Sequence, residues 1–427
     1  MTTVGDSVRA LHAGVAGETW VLSGMSLGMA SALLGIGTLA DDLGRRRVLV
    51  WSTGALAATS VAGALAPSIG VLVAARILQG VAGAGVLAAS LGSIGHAFPA
   101  GRARTHATGL WGAALGGGIA LGPLAAAGIA AGLGWRSSYW LEGAAALVLL
   151  PAAARLPESR AETRRPIDVA GIATLGAAMA CLTAGLVEGH TSWSGAGTIV
   201  PLAGGVLLLA AFARVELARR SPMLELRLFA QRTFVASITG ALFTGVAIIG
   251  LMSYSPTVLQ RGLHVSVIGS AGVLAAWSAT SMVVALAARR LPVRLPSYAR
   301  LAIGLVLCAA GEVGLTGVGL GASAARLVPG LIVVGVGSGL ANAALGRLAV
   351  ESVPRDRAGM GSGANNTARY LGGAAGVALV VALGSGASAS GLIHGWNVAA
   401  LVSAALCALG ALIAICCRPA SARTVGG

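Results

Sequence analysis

Apolar runs long enough to cross a bilayer recur along almost the whole chain. They fall at about residues 20–40, 48–66, 72–97, 107–133, 137–154, 168–187, 197–217, 233–255, 269–288, 301–318, 327–349, 361–384 and 395–416. A helix needs about 20 mostly apolar residues to span the hydrocarbon core. Inside that core each backbone N–H and C=O must be satisfied within its own segment, so every run is expected to be a helix. Composition agrees: 56% of the 427 residues are apolar and 10% are charged, against roughly 25% charged in a soluble domain. So few charges cannot cover a water-soluble globule, which excludes a soluble enzyme. The expected fold is an all-α membrane protein of about thirteen transmembrane helices.

Charge orients these helices. The sequence has no Lys, so all 29 basic residues are Arg, and the net charge is +15. Cytoplasmic loops carry excess Lys and Arg. The alternate loops that begin with 41–47 hold 23 Arg, and the opposite set holds four: Arg9, Arg136, Arg261 and Arg326. A missed or invented span would scramble this split. It places the N-terminus outside and the C-terminus inside. It also accounts for the positive charge as topology, so no nucleic-acid partner is expected. Residues 1–19 lack the charged n-region and apolar h-region of a signal peptide. The five cysteines, Cys181, Cys308, Cys407, Cys416 and Cys417, show no CxxC or Cys/His spacing, so neither a disulfide nor a metal site is expected. Cys416-Cys417 beside Arg418 reads as apolar filler at a helix end or as an acylation site.

Three stretches carry more specific information. The loop after the first run reads Gly37-Thr38-Leu39-Ala40-Asp41-Asp42-Leu43-Gly44-Arg45-Arg46-Arg47. Its glycines permit a tight turn between helices, and Asp41 can pair with Arg or sit at a helix N-terminus, a contact that can break and re-form in a gate. The third run contains Arg76-Ile77-Leu78-Gln79-Gly80, and a charged residue inside a span is costly and marks function. The fourth run contains Gly118-Ile119-Ala120-Leu121-Gly122-Pro123, where Gly and Pro allow a bend and close helix contact.

The first stretch resembles the signature loop of the major facilitator superfamily, with Asp42 where that family usually has a basic residue. The second resembles its R-x-x-Q-G motif, linked with proton coupling. The third, with Gly134-Trp135-Arg136 after it, resembles the motif of the exporting branch, although Ala126-Ala127 replace its glycine pair. Arg165–Gly171, Gly185–Gly189, Glu216–Phe229, Pro354–Ala358 and Gly361–Arg369 resemble the fourteen-span drug:proton antiporters. The resemblance runs from about residue 4 to 416. One departure is large: residues 4–20 resemble only the tail of the family's first span, whose apolar body and membrane aspartate are absent. Either the start codon was placed too late or the chain is a truncation.

The resemblance implies a major facilitator fold in two related halves with two extra central helices. The expected organisation is an external segment 1–19, an N-terminal half 20–154 with five spans, a linker 155–232 with two extra spans, a C-terminal half 233–417 with six spans, and a cytoplasmic tail 418–427. A weak internal echo agrees: Phe98–Ala103 resembles Val353–Ala358 at an offset of 255, and Gly80 falls on Gly335 at the same offset. Binding sites in such repeats lie between the halves.

The residues expected to work are few. Gly37, Asp41, Gly44, Arg45 and Arg46 form the cytoplasmic gate, and Gly118, Gly122 and Pro123 the helix bend. The ionisable groups inside spans are Arg76, Glu142, Glu312 and Arg369. Arg76 is assigned to coupling. Glu312, placed mid-span, is a proton carrier or a neutral structural acid, and Glu142 a coupling or interfacial group. Met25, Met29, Trp111, Trp277, Asn342, Asn365 and Asn366 form an adaptable pocket or pack between helices. Gly335–Gly339 and Gly359–Gly363 follow no strand, and no GxxxxGK[ST] exists, so neither nucleotide nor cofactor is expected. The expected partners are an amphiphilic small molecule, protons and the lipid bilayer. The chain reads as a proton-coupled efflux transporter in the cytoplasmic membrane and not as an enzyme. A non-transporting remnant and a proton-coupled uptake carrier stay open as other readings.

Overall fold

The computed structural model describes residues 3–98, 102–160, 168–189, 192–219, 222, 224–288, 295–353, 358–384 and 388–418. Among them every regular element is helical. A short α1 (Val4–Ala10) precedes thirteen long helices: α2 (Val15–Leu43), α3 (Arg45–Ala64), α4 (Ile69–Ala97), α5 (Arg102–Leu133), α6 (Arg136–Ala154), α7 (Val169–Gly189), α8 (Ala196–Ala218), α9 (Arg232–Gly262), α10 (Val267–Ala287), α11 (Ser297–Gly314), α12 (Val328–Glu351), α13 (Ala358–Gly384) and α14 (Ala389–Cys416). Each coincides with one apolar run of the sequence. Ten are long and apolar enough to cross a membrane on both counts. Two of the others, α3 and α6, are as long but more polar: α3 opens on Arg45-Arg46-Arg47, and α6 carries Arg136 and Glu142; α5 is apolar over Leu121–Leu133 among the described residues.

The helices assemble as two groups with the same wiring. In the first, α4 packs along α2 and α3, and α3 against α6. In the second, α12 packs along α10 and α11, and α11 against α14. Among the described residues, the most extensive contacts between the groups are α2 with α13 and α5 with α10. Gly80 and Gly335, paired by the sequence echo, occupy matching places. Gly80 meets the backbone of α2 at Met25 and Gly28, and a Cβ on Gly335 would stand 2.7 Å from the Trp277 carbonyl of α10. The echoed loop positions Pro99–Gly101 and Pro354–Arg357 lie outside the described residues.

Small residues set the closest approaches. Without a hydrophobic drive between helices in lipid, association depends on van der Waals contact, which small residues bring to backbone distance. Gly28 lies on the Ile77 carbonyl of α4, and Gly372 and Gly376 of α13 lie on the Leu242 and Val246 carbonyls of α9. Helix α9 widens into a π turn at Thr244–Ile249 beside that contact and into another at Val258–Gly262. Such turns often mark functional positions.

The α7–α8 hairpin lies on α2 and α13. Asp168 starts it, accepting from the Gly171 amide at 2.7 Å and pairing with Arg219 at 3.1 Å. Buried Glu216 accepts from the Leu224 amide at 3.0 Å. One apolar cluster runs across both groups. It takes Val4 and Val8 of α1, Leu22 of α2, Leu72 of α4 and Tyr139 of α6, with Leu251 and Leu259 of α9 and Trp396 of α14. By the Arg alignment of the loops, these first-group members lie toward the outer face.

Candidate functional site

The predicted gate is a tight helix-to-helix turn held by an acid from another loop. Gly44 ends α2 and starts α3 with φ +113°. A side chain there would be strained by conformation. It would also collide, since a Cβ would stand 2.6 Å from Glu158 Oε1. The Glu158 carboxylate accepts from the Arg46 amide at 3.1 Å and faces the Arg46 guanidinium at 3.7 Å. The Arg45 amide donates to the Ser159 carbonyl at 2.9 Å. The Arg45 side chain lies over α4, with its Nε 3.0 Å from where a Cβ on Gly92 would be. Gly37 faces Ala88 of the same helix. Asp41 lies in the last turn of α2, and its side chain is outside the described residues.

Glu158 was not among the residues expected to work. It is one of three acids, with Glu162 and Asp168, in the Arg-rich loop after α6, and only folding shows which Arg it meets.

Arg76 sits in the second turn of α4 with 8% of its surface exposed, so it does not snorkel to a helix end. Its Nη1 donates to Gln79 Oε1 at 3.0 Å. The Gln79 amide, 1% exposed, passes its own donors to Ser60 Oγ of α3 at 3.0 Å and Glu142 Oε2 of α6 at 3.1 Å. Three helices thus meet on one amide. Glu142 is a member of this network and not simply an interfacial side chain.

The second group holds a comparable arginine. Arg369 of α13 donates to Asn366 Oδ1 at 2.9 Å and to Asn342 Oδ1 of α12 at 3.4 Å. Two of the pocket candidates therefore orient a cation. Asn365 instead ties α13 to α9 through the Ser237 hydroxyl and carbonyl, at 2.9 and 3.0 Å. Trp111 ties α5 to α4 by donating to Ser90 Oγ at 3.0 Å, and Trp277 ties α10 to α12 by donating to Ser338 Oγ at 3.1 Å. Met29, 4% exposed, packs where α2 crosses α4, and Met25 is half-buried beside it.

Two expectations meet a different geometry. Glu312 is not mid-span. It lies in the last turn of α11, because the chain leaves the helix at Gly314 and turns at Gly317, where φ is +71°. It is fully buried beside the Cys407 thiol of α14, and α11 packs mainly on α12 and α14. Gly118, Gly122 and Pro123 lie within α5, which continues as helix through all three. A Cβ on either glycine would find no described atom within 4 Å, so the close helix contact expected there is not seen among the described residues.

The outer ends of the groups are joined by a contact that no motif announced. Glu18 of α2, its side chain 4% exposed, accepts from Thr257 Oγ1 at 2.8 Å and from Arg261 Nη1 at 3.2 Å, both on α9. Its only trace in the sequence is an acid at the mouth of a span and one of the four outer arginines.

Comparison with known proteins agrees with this architecture. Residues 4–377 match the Major Facilitator Superfamily. Multidrug resistance protein Stp of Mycobacterium tuberculosis is 31% identical over 385 residues, covering 88% of this chain and 70% of that protein. The puromycin resistance protein pur8 of Streptomyces alboniger is 30% identical over 414 residues, 90% of this chain and 77% of that one. The tetracenomycin C resistance and export protein of Streptomyces glaucescens is 29% identical over 375 residues, 87% and 69% of the two chains. Among solved structures, the human organic anion transporter MFSD10 superposes with a TM-score of 0.65 at 17% identity, over 93% of this chain and 83% of that one. With its paired helical groups and this match over most of its length, the chain belongs to the major facilitator superfamily and is a multi-pass membrane protein.

Proposed function

We propose that this chain exports amphiphilic small molecules, such as drugs, antibiotics or secreted metabolites, across the cytoplasmic membrane in exchange for protons. The observation that carries this reading is likeness over nearly the whole chain to proteins named as drug-resistance and export proteins. The geometry supports it in three places. Glu158 holds the Gly44–Arg46 turn at the cytoplasmic end. Arg76 lies buried in a span on a hydrogen-bond network that reaches an acid. Glu18 joins α2 to α9 at the outer end. The helical groups 20–154 and 233–417 act as halves that rock about a site between them, with the α7–α8 hairpin as their bridge. Gradient energy replaces nucleotide hydrolysis, and no cofactor takes part.

The test is efflux of ethidium, a fluorescent lipophilic cation, from cells expressing the chain, with and without a protonophore. Efflux that the protonophore stops and Arg76→Ala removes is the expected result. Protonophore-insensitive efflux overturns proton drive. Inward accumulation of the dye overturns export.

A further inference from the structure

We propose that the cleft between the cytoplasmic ends of α3 and α6 binds the phosphate headgroup of an anionic phospholipid. The binding is a property of this surface and requires nothing of the export reading above. The cleft encloses about 350 Å³ and is lined by Arg46, Arg47, Val50 and Trp51 of α3, by Ala154 of α6 and by Glu158 beyond it. Arg47 and Trp51 are exposed, Trp51 to 59%. They stand one helical turn apart, so both lie on one side of α3. The Arg sidedness of the loops makes this the cytoplasmic end. The indole therefore lies about 6 Å deeper in the membrane than the guanidinium, at 1.5 Å per residue.

The charges in the cleft favour an anion. Two guanidiniums stand against one carboxylate. Glu158 is already engaged, accepting from the Arg46 and Ser159 amides, each at 3.1 Å. The Arg46 guanidinium is held loosely, 3.7 Å from that carboxylate and 3.5 Å from the Leu156 carbonyl. Arg47 has no hydrogen-bond or ion-pair partner among the described residues. Both arginines belong to the first turn of α3, whose N-terminus adds partial positive charge. A phosphodiester supplies what is missing: its two unesterified oxygens accept charge-assisted hydrogen bonds from Arg47 and Arg46.

The surroundings select a lipid over a free phosphate. The line from Arg47 to Trp51 continues at helical spacing through Ala55, Ala58, Ala62 and Leu65, all exposed. Residues 48–65 contain no charge. Beside this stripe, α6 exposes Leu147, Val148 and Pro151. The cleft therefore runs at its Trp51 edge onto an apolar surface along which acyl chains can lie. Trp is suited to that edge, because its ring sits at the headgroup level of a bilayer. Basic pockets between helices on the cytoplasmic side take anionic headgroups in the same way.

Quenching of tryptophan fluorescence by brominated lipids tests this without any transport substrate. The purified protein is placed in phosphatidylcholine vesicles with rising mole fractions of phosphatidylglycerol brominated high on its acyl chains. Wild type is expected to show a saturable quenching step that brominated phosphatidylcholine does not give. Trp51→Phe should lose that step. Arg46→Gln with Arg47→Gln should move its midpoint up, about fivefold for each arginine removed, and Arg214→Gln on α8 should leave it in place. Equal quenching by the two lipids, a step that persists in Trp51→Phe, or an unmoved midpoint in the double variant overturns the proposal. If the double variant does not stay monodisperse, lipid selectivity in wild type and the Trp51→Phe result decide. Inorganic phosphate, exchanged for chloride at equal ionic strength, is expected to leave the step intact. Its abolition by phosphate would make the cleft a site for the free anion and overturns the lipid.

Discussion

Gly44 concentrates the physics of the proposed gate in one residue. Its positive φ costs an L-residue about 1–2 kcal/mol, and Glu158 fills the space a Cβ would need. Gly44→Ala is expected to lower thermal stability by at least that amount and to displace the Glu158 carboxylate, read as a fall in Tm together with loss of efflux. Glu158→Gln separates structure from gating. The Arg46 side chain is substantially exposed, and such ion pairs contribute only about 0.2–1 kcal/mol. Tm should therefore hold while efflux falls, and equal loss of both would make Glu158 a structural residue only. Asp41→Asn is expected to abolish transport with membrane protein level unchanged, and full transport by that variant removes Asp41 from the gate. The sequence showed Gly44 as a turn residue but not the acid above it, because Glu158 arrives from 114 residues downstream.

Among the helices, glycines that look alike in sequence separate by what faces them. Gly28 and Gly80 let α2 and α4 touch at their backbones, whereas Gly118 and Gly122 of α5 face open space. Adding volume to a filled contact costs about 1–3 kcal/mol, and here the neighbour is a backbone that cannot turn aside. Gly80→Val is expected to cut the yield of monodisperse protein sharply on size-exclusion chromatography. Gly122→Ala should leave that yield intact, since Ala favours helix by about 1 kcal/mol over Gly. Loss of efflux from a well-folded Gly122→Ala protein would show that α5 uses the glycine in another conformation. All thirteen spans were legible as elements because bilayer thickness fixes their length and the backbone has no other way to cross. Helix ends were less so: α2 extends to Leu43, α9 reaches Gly262, and α11 stops at Gly314, which moves Glu312 from mid-span to the last turn.

For the whole molecule, the Glu18 contact predicts how the two groups separate. The carboxylate is nearly buried and takes hydrogen bonds from two residues of α9, so opening the outer face must break it. In a cysteine-free background, Glu18→Cys with Thr257→Cys joined by a short bis-maleimide is expected to stop efflux, while either single variant treated alike continues to export. Efflux by the cross-linked protein would mean that the outer ends need not part. The repeated wiring of α2, α3, α4 and α6 by α10, α11, α12 and α14 was faintly visible as the pairing of Gly80 with Gly335. One matched pair and a six-residue loop cannot prove a repeat, because many sequences satisfy one packing scheme.

The sequence alone determined the solvent and the helical spans, because burial in hydrocarbon acts on each segment independently, and the sidedness of arginine supplied their expected direction. It also located Arg76 and Gly44, whose residue types are costly or special wherever they stand. Only the tertiary structure decided the partners: Glu158 on the gate turn, Glu142 behind Gln79, Glu18 on α9, and Asn365 as a helix tie instead of a pocket wall. Hydrogen bonds and ion pairs depend on ångström distances between residues up to 243 positions apart, and no periodicity within a segment encodes that distance.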